Sequence, residues 1–206
     1  MTPQAIATLL QPYIAQAPAP PTGWPHVCSQ LATYLELLLK WNARTNLTSI
    51  REPEAIIARH FGESLFTAHH IGPCPTLLDF GSGAGFPGIP IQLLSADIQV
   101  TLAESQARKA AFLREVLRTL HLPTEVWCGR VEAMPPSRQF HTVTLRAVDR
   151  MNEAIAESAS RASHRIAILT THRTRIDAAA LPQFHLAEPI PLPQSAAAFL
   201  LLANRI

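Results

Sequence analysis

A chain of 206 residues is long enough for one domain with a full core and a small appendage. Its 48% hydrophobic and 16% charged residues mark a globular, rather apolar protein, and a net charge of +2 singles out no partner. No apolar run reaches the roughly 18 residues of a membrane span, and three scattered cysteines (Cys28, Cys74, Cys128) without a Cys-x-x-Cys pair exclude a disulfide framework or zinc site and fit a reducing cytoplasm.

The chain opens helical. "AIATLLQPYIAQA" has no Lys or Arg before it, so it reads as a helix and not as a signal peptide. "QAPAPPTGWP" is a stiff Pro-rich loop. "VCSQLATYLELLLKWN" repeats apolar residues at helical spacing through Leu31, Tyr34, Leu35, Leu38 and Trp41. "ARTNLTSI" is polar and turn-like, and "PEAIIARHFGESLFTAHH" starts a further helix with Pro53 in its first turn.

From Thr76 the pattern changes. "TLLDF", "DIQVTLAES", "TEVWCG", "HTVTLRA" and "RIAILT" read as strands, with helices in "ARKAAFLREVLRTL" and "DRMNEAIAESASRAS". This alternation predicts an α/β fold with a mostly parallel, doubly wound, Rossmann-like sheet. "FHLAEPIPLPQSAAAFLLLANRI" has no room for a crossover helix and predicts an antiparallel hairpin at one edge. The expected division is an N-terminal helical segment, 1–72, packed on a sheet domain, 73–206.

The glycine stretch "DFGSGAGFPG" can be read in two frames. From Asp79 it is acid-x-Gly-x-Gly-x-Gly, which suits S-adenosylmethionine: Gly81, Gly83 and Gly85 form the turn and Asp79 accepts from the ammonium group. From Gly83 it is Gly-x-Gly-x-x-Gly, with Gly83, Gly85 and Gly88, which suits a dinucleotide. The second frame puts Pro87 inside the phosphate cradle and leaves Gly81 unexplained, so the first is favoured. Glu104, ending the next strand, serves a ribose in either frame. A nicotinamide-dependent oxidoreductase and a glycine turn without ligand remain the competing readings.

"KWNARTNLTSI", "IIARHFGESL", "LLDFGSGAGFPGIPIQLL", "VTLAESQARKAAFLREV", "GRVEAM" and "LRAV" occur in this order. Together, from Lys40 to Val148, they resemble the RsmG (GidB) family of bacterial 16S ribosomal RNA guanine-N7 methyltransferases. The resemblance implies a class I methyltransferase fold, S-adenosylmethionine as cofactor, and 16S rRNA or the small ribosomal subunit as partner of a cytoplasmic monomer. It also implies residue roles. Gly81 and its loop cradle the methionine part, Phe86 contacts the cofactor, Glu104 binds the ribose, and Val131 and Glu132 flank the adenine. Arg146 contacts the cofactor or orients the target base, against the plainer reading of a salt bridge to Asp149. Thr170 and Thr171 stand where the family has Lys-Gly, and an arginine expected before the last strand is missing; Arg173 and Arg175 are candidate substitutes.

Guanine N7 carries a lone pair and no proton, so attack on a sulfonium methyl needs alignment and no general base. The absence of a catalytic dyad fits that chemistry. "GPCP" at Cys74 precedes the first strand and reads as a loop, not as a nucleophile site. Arg108, Lys109, Arg114 and Arg118 on one helix suit a phosphate track or an ordinary solvated face. His60 and Glu63 could help close the site but read more readily as helix-packing residues, His69 and His70 read as surface, Trp41 as core, and Phe86 as a stacking partner for a ligand ring. A non-catalytic RNA-binding assembly factor is the remaining alternative.

Overall fold

A computed structural model of the chain describes residues 1–15, 23–148, 150–171 and 181–206. Asp149, Arg173, Arg175 and part of the Pro-rich loop lie outside these residues.

Helix α1 (Pro3–Ile14) starts where Thr2 accepts a hydrogen bond from the Ala5 N–H, with Pro3 in the first turn. Helix α2 (Trp24–Thr45) buries one stripe, including Val27, Leu31, Tyr34, Leu35 and Leu38. It stops at Asn46, whose φ of +51° is left-handed. Just upstream, the Asn42 amide accepts from the Thr48 N–H and donates to the Thr48 carbonyl, both at 2.9 Å. That double bond fixes the polar turn read from "ARTNLTSI".

The next helical run was expected as one regular helix. It instead comprises α3 (Pro53–Ile56), a π-helical stretch (Ile57–Gly62) and α4 (Glu63–Ile71). The wider turn is rare and marks functional sites more than packing ones. Gly62 ends it because α1 lies directly on top: a Cβ there would come within 2.5 Å of the Tyr13 ring.

The sheet holds β1 (Thr76–Phe80), β2 (Gln99–Glu104), β3 (Glu125–Cys128), β4 (Phe140–Arg146), β5 (Ala162–Thr170), β6 (Phe184–Leu186), β7 (Ile190–Pro191) and β8 (Phe199–Arg205). Its order is β3-β2-β1-β4-β5-β8-β6, with β7 also on β8. The first five strands are parallel, and β8 runs antiparallel to its neighbours. Helices α5 (Gly88–Leu94), α6 (Ala107–Leu120) and α7 (Met151–Arg161) make crossovers.

Strand β5 begins three residues before "RIAILT", because Ala162 still pairs with Phe140 across a bulge. The terminal hairpin is present, but its first arm is broken into β6 and β7. Pro189, Pro191 and Pro193 lack the N–H a continuous ladder needs. The longer arm, β8, lies inside the sheet and β6 forms the edge.

Central strands are buried on both faces, and their side chains alternate between two cores. Leu77, Leu102, Ala167 and Leu169 face a core shared with α1, α2, α4, α5 and α6. Leu78, Val143, Ile166 and Ile168 face a second core with Ile155 of α7. The N-terminal helices therefore cover one face of the sheet, each fully buried Leu adding roughly 1.5–3 kcal/mol. The chain leaves β1 in one direction for β2 and β3, then returns past it to β4 and β5. That reversal opens a crevice at the carboxyl ends of β1 and β4, where doubly wound sheets bind ligands.

Candidate active site

Immediately after β1 the backbone turns through two left-handed residues, Gly81 (φ +69°) and Gly83 (φ +57°). A Cβ on Gly81 would press on Val148 at 3.3 Å. Both glycines line a cavity of about 540 Å³ over the carboxyl ends of β1, β2 and β4. Gly85 (φ +93°) does not share that surface: its Cβ would lie 2.5 Å from the Tyr34 hydroxyl and 2.6 Å from Ile89. Tyr34, on α2, donates to the Ala84 carbonyl and so fastens the second half of the loop to the N-terminal helices.

Asp79 was expected to meet an ammonium group, and the structure corrects this. The carboxylate is fully buried behind the loop, not on the cavity wall. It accepts from the Gly88 N–H at 3.0 Å and the Thr144 hydroxyl at 2.9 Å. Burial raises its pKa to about 6, against the lowering effect of those two donors. Asp79 thus ties the start of α5 to β4. Gly88 packs against β1 and β2 and also stays off the cavity: a Cβ there would meet Leu102 at 2.5 Å and Asp79 at 2.8 Å. Of the dinucleotide frame only Gly83 reaches the cavity, whereas Gly81 and Gly83 of the other frame both do.

Glu104, Val131 and Glu132 line the cavity as expected of residues flanking one ligand. Glu104 accepts from the Gly83 N–H at 3.0 Å and the Gln106 N–H at 2.7 Å. Each carboxylate oxygen keeps further accepting capacity. Val131 and Glu132 lie in a single 3-10 turn, Val131–Ala133. Arg161 holds that turn from behind, donating to the carbonyls of Val131, Met134 and Pro135. Nothing in the sequence pattern singled out Arg161; its partners converge only in three dimensions.

Phe86 was expected to stack on a ligand. Its ring instead stacks between Tyr34 (centroids 5.4 Å apart) and His60 (4.8 Å) and is 6% exposed. Stacked on these rings and nearly buried, it contributes to the cavity as part of the wall.

Arg146 ends β4 on the cavity wall. The salt bridge weighed for it was to Asp149, which lies outside the described residues. Its observed partner is Glu63, 83 residues away, at 3.0 Å. Its Nη2 also donates to the Arg59 carbonyl at 2.7 Å. Glu63 accepts a second bond from Arg59 Nε at 3.2 Å. Burial pushes the Glu63 carboxyl up, and the two guanidinium groups oppose it. His60 lines the same cavity, with Nε2 2.7 Å from the Thr48 hydroxyl. Its Nδ1 is buried without a partner among the described residues. Burial, then Arg146 and Arg59, lower its pKa to about 3, so the ring is neutral at pH 7. Sequence reasoning favoured packing over closing the site for His60 and Glu63. The π-helical turn that carries His60 has no pattern in the sequence to reveal it.

Lys109, Arg130 and Arg150 add positive charge to the cavity rim. Arg108, Arg114 and Arg118 are exposed on α6, and Arg118 pairs with Glu115 at 2.9 Å. Cys28 and Cys74 are buried, Cys128 is exposed, and all three are free. Cys74 lies apart from the cavity, as the reading of "GPCP" as a loop requires. Among the described residues no cluster suits a metal ion, and no helix is long and apolar enough to cross a membrane.

Similarity to known proteins follows the same lines. A ribosomal RNA small subunit methyltransferase G of Nitrosomonas europaea is 48% identical over 123 residues, 59% of this chain and 57% of that protein. That of Chromobacterium violaceum is 41% identical over 126 residues, 61% of this chain and 60% of that protein. The matched stretch thus spans less than two thirds of either relative. The magnesium protoporphyrin IX methyltransferase of Synechocystis, crystallised with SAM bound, superposes with a TM-score of 0.61. It covers 84% of this chain and 97% of its own at 13% identity, a likeness of fold alone. A putative methyltransferase of Escherichia coli (yhhF) gives 0.53 at 16% identity, covering 69% and 82%. The family model described as GidB, rRNA small subunit methyltransferase G, matches residues 27–183, most of the chain, and this protein belongs to that family.

Proposed function

We propose that the chain transfers the methyl group of S-adenosylmethionine to N7 of a guanine in 16S rRNA of the small ribosomal subunit. The observation that carries this is the cavity itself. It gathers Gly81, Gly83, Glu104, Val131, Glu132 and Arg146 from four separate stretches of sequence onto one surface. In this reading the Gly81–Gly83 turn holds the methionine part, Glu104 accepts from the ribose hydroxyls, and Val131 and Glu132 flank the adenine.

The cofactor supplies an electrophilic methyl on a sulfonium. The Gly81–Gly83 turn and Glu104 would hold it so that its methyl is offered to the N7 lone pair, the carbon–sulfur electron pair staying on sulfur and the positive charge passing to the purine. No proton moves at N7, so the residues of the chain align and exclude water. The neutral His60 ring and the Arg146–Glu63 pair form one side of that enclosure. The cationic rim of Lys109, Arg130 and Arg150 suits the phosphates of an RNA strand. Free cysteines fit the cytoplasm. Exposed large hydrophobics, among the described residues, are limited to Met1 and Ile206, which fits a monomer.

Calorimetry with S-adenosylhomocysteine and with NAD tests the cofactor, and methyl transfer from labelled S-adenosylmethionine to undermethylated small-subunit RNA, with mapping of the modified nucleotide, tests the reaction. Binding of S-adenosylhomocysteine but not NAD, and one N7-methylated guanine, are expected. Binding without transfer to RNA or intact subunit would leave an RNA-binding assembly factor as the better reading.

A further inference from the structure

Beside the main cavity lies a second one of about 220 Å³. The two share Arg146 and Ala147, so the end of β4 is their common wall. The second cavity sits over the carboxyl ends of β4 and β5, bounded by Leu169 and Thr170 of β5. One part of its lining is apolar (Met151, Leu192, Ala198) and another is charged (Glu63, Arg59, Arg146). It is smaller than the about 300–1,000 Å³ of pockets for drug-sized ligands, a size suited to one flat ring system.

Glu63 decides what kind of ring. Its side chain is 5% exposed, and its two oxygens accept from Arg59 and Arg146. A carboxylate has about four accepting sites, so the two arginines leave half of them for a ligand. A buried acceptor-only group selects a ligand edge made of adjacent donors. Guanine has such an edge in N1–H and N2–H₂; adenine presents a lone pair at N1, which a carboxylate repels. N7 lies on the imidazole side of the purine, away from that edge. Arg146 binds its protein partners through Nη2, so among the described residues Nε and Nη1 remain available to donate to O6.

We propose that this second cavity seats the acceptor base, with Glu63 accepting from guanine N1–H and N2–H₂ and N7 left to face the main cavity past Arg146. The proposal rests on the reading of the chain as a guanine-N7 methyltransferase and names the residue that selects the base. Glu63 would then be a specificity residue in direct contact with substrate, and the π-helical turn before it would serve to bring it and His60 to the two cavities together.

The test compares wild type, Glu63→Gln and Thr171→Trp on small-subunit RNA with guanine or inosine at the mapped nucleotide. Inosine lacks the N2 amine and keeps N1–H, O6 and N7. Inosine should lower wild-type kcat/KM roughly ten- to hundredfold, the cost of leaving a buried acceptor unmatched. Glu63→Gln should lower the guanine rate by a similar factor and shrink the inosine penalty to within about threefold. S-adenosylhomocysteine affinity serves as the control and should hold, whereas the melting temperature of Glu63→Gln should fall because the charge facing Arg146 and Arg59 is lost. Thr171 lies exposed on the cavity's edge, so Trp there fills the cavity without disturbing the core. Thr171→Trp should cost at least about tenfold in turnover at unchanged cofactor affinity, and it stands as the test if Glu63→Gln is unstable. Equal inosine penalties in wild type and Glu63→Gln, or full turnover by Thr171→Trp, would overturn the proposal. Wild type that binds S-adenosylhomocysteine but methylates no RNA would instead sink the methyltransferase reading itself.

Discussion

Gly81 and Gly83 face the cavity, whereas Gly85 and Gly88, a few residues on, face the protein. Three sit in one short loop and the fourth opens α5, and all four look alike in the sequence. The first pair leaves space for a ligand, and the second lets α2 and α5 approach the sheet. A glycine-rich loop is therefore two devices in series: an open cradle and a close-packed joint. The Tyr34 hydroxyl and the buried Asp79 carboxylate hold the joint, and they sit behind the cradle instead of lining it.

The largest expected contrast comes from substituting one glycine of each half. Gly81→Val should abolish S-adenosylhomocysteine binding, at least about a hundredfold by calorimetry, with a modest loss of stability from its positive φ. Gly85→Ala combines a positive φ, about 1–2 kcal/mol, with overpacking against Tyr34, about 1–3 kcal/mol. Its melting temperature should fall by roughly 5–15 °C. A stable Gly85→Ala with lost affinity would erase the distinction between the two halves.

Arg146→Ala tests the wall between the cavities. Turnover should drop at least about a hundredfold, since displacing a reacting atom by an ångström costs that much. Stability should fall as well: removing one member of the buried Arg146–Glu63 pair costs about 3–5 kcal/mol, eased here by Arg59. Kinetics and a melting curve on one preparation separate the two effects.

Glu104→Ala should weaken S-adenosylhomocysteine roughly ten- to hundredfold, by loss of the proposed ribose contact and release of the Gly83 N–H. An unchanged dissociation constant would remove Glu104 from the site.

The smallest effect concerns the joint and is read in pH. Asp79 titrates at about 6 in the fold, above the usual carboxylate value, because burial disfavours its charge. The folded state therefore holds the proton more tightly, and this group's contribution to stability falls as pH rises from about 4 to 6. The change is on the order of 2–3 kcal/mol. His60, held near 3, acts oppositely: its contribution is lost as pH falls below the unfolded value of about 6.5. Asp79→Asn isolates the first effect. Relative to wild type, its unfolding free energy in denaturant should improve between pH 4.5 and 7, and a pH-independent difference would refute the buried-charge account.

The sequence made the strand–helix alternation legible because each segment's own periodicity carries it. α6 coincides with "ARKAAFLREVLRTL", and β1 with "TLLDF". Pro87 and Gly81 pointed to the frame whose Gly81 and Gly83 line the cavity, and its place at a strand end pointed to Glu104, which lines it too. The errors fell where a residue's role depends on what meets it from elsewhere. Asp79 stands at a strand end just as Glu104 does. One carboxylate is covered by α5 and Thr144 and the other is left on the cavity, and no local pattern distinguishes them. Phe86 reads as a free aromatic until Tyr34 and His60 arrive from helices 52 and 26 residues upstream.

Local composition thus determined the fold class and the glycine turn at the cavity, because backbone periodicity and glycine conformation act over a few residues. Tertiary structure decided which acids and aromatics line that cavity. It alone joined Glu63 to Arg146 and set a second cavity beside the first, because burial and ion pairing depend on groups that the chain brings together only when folded.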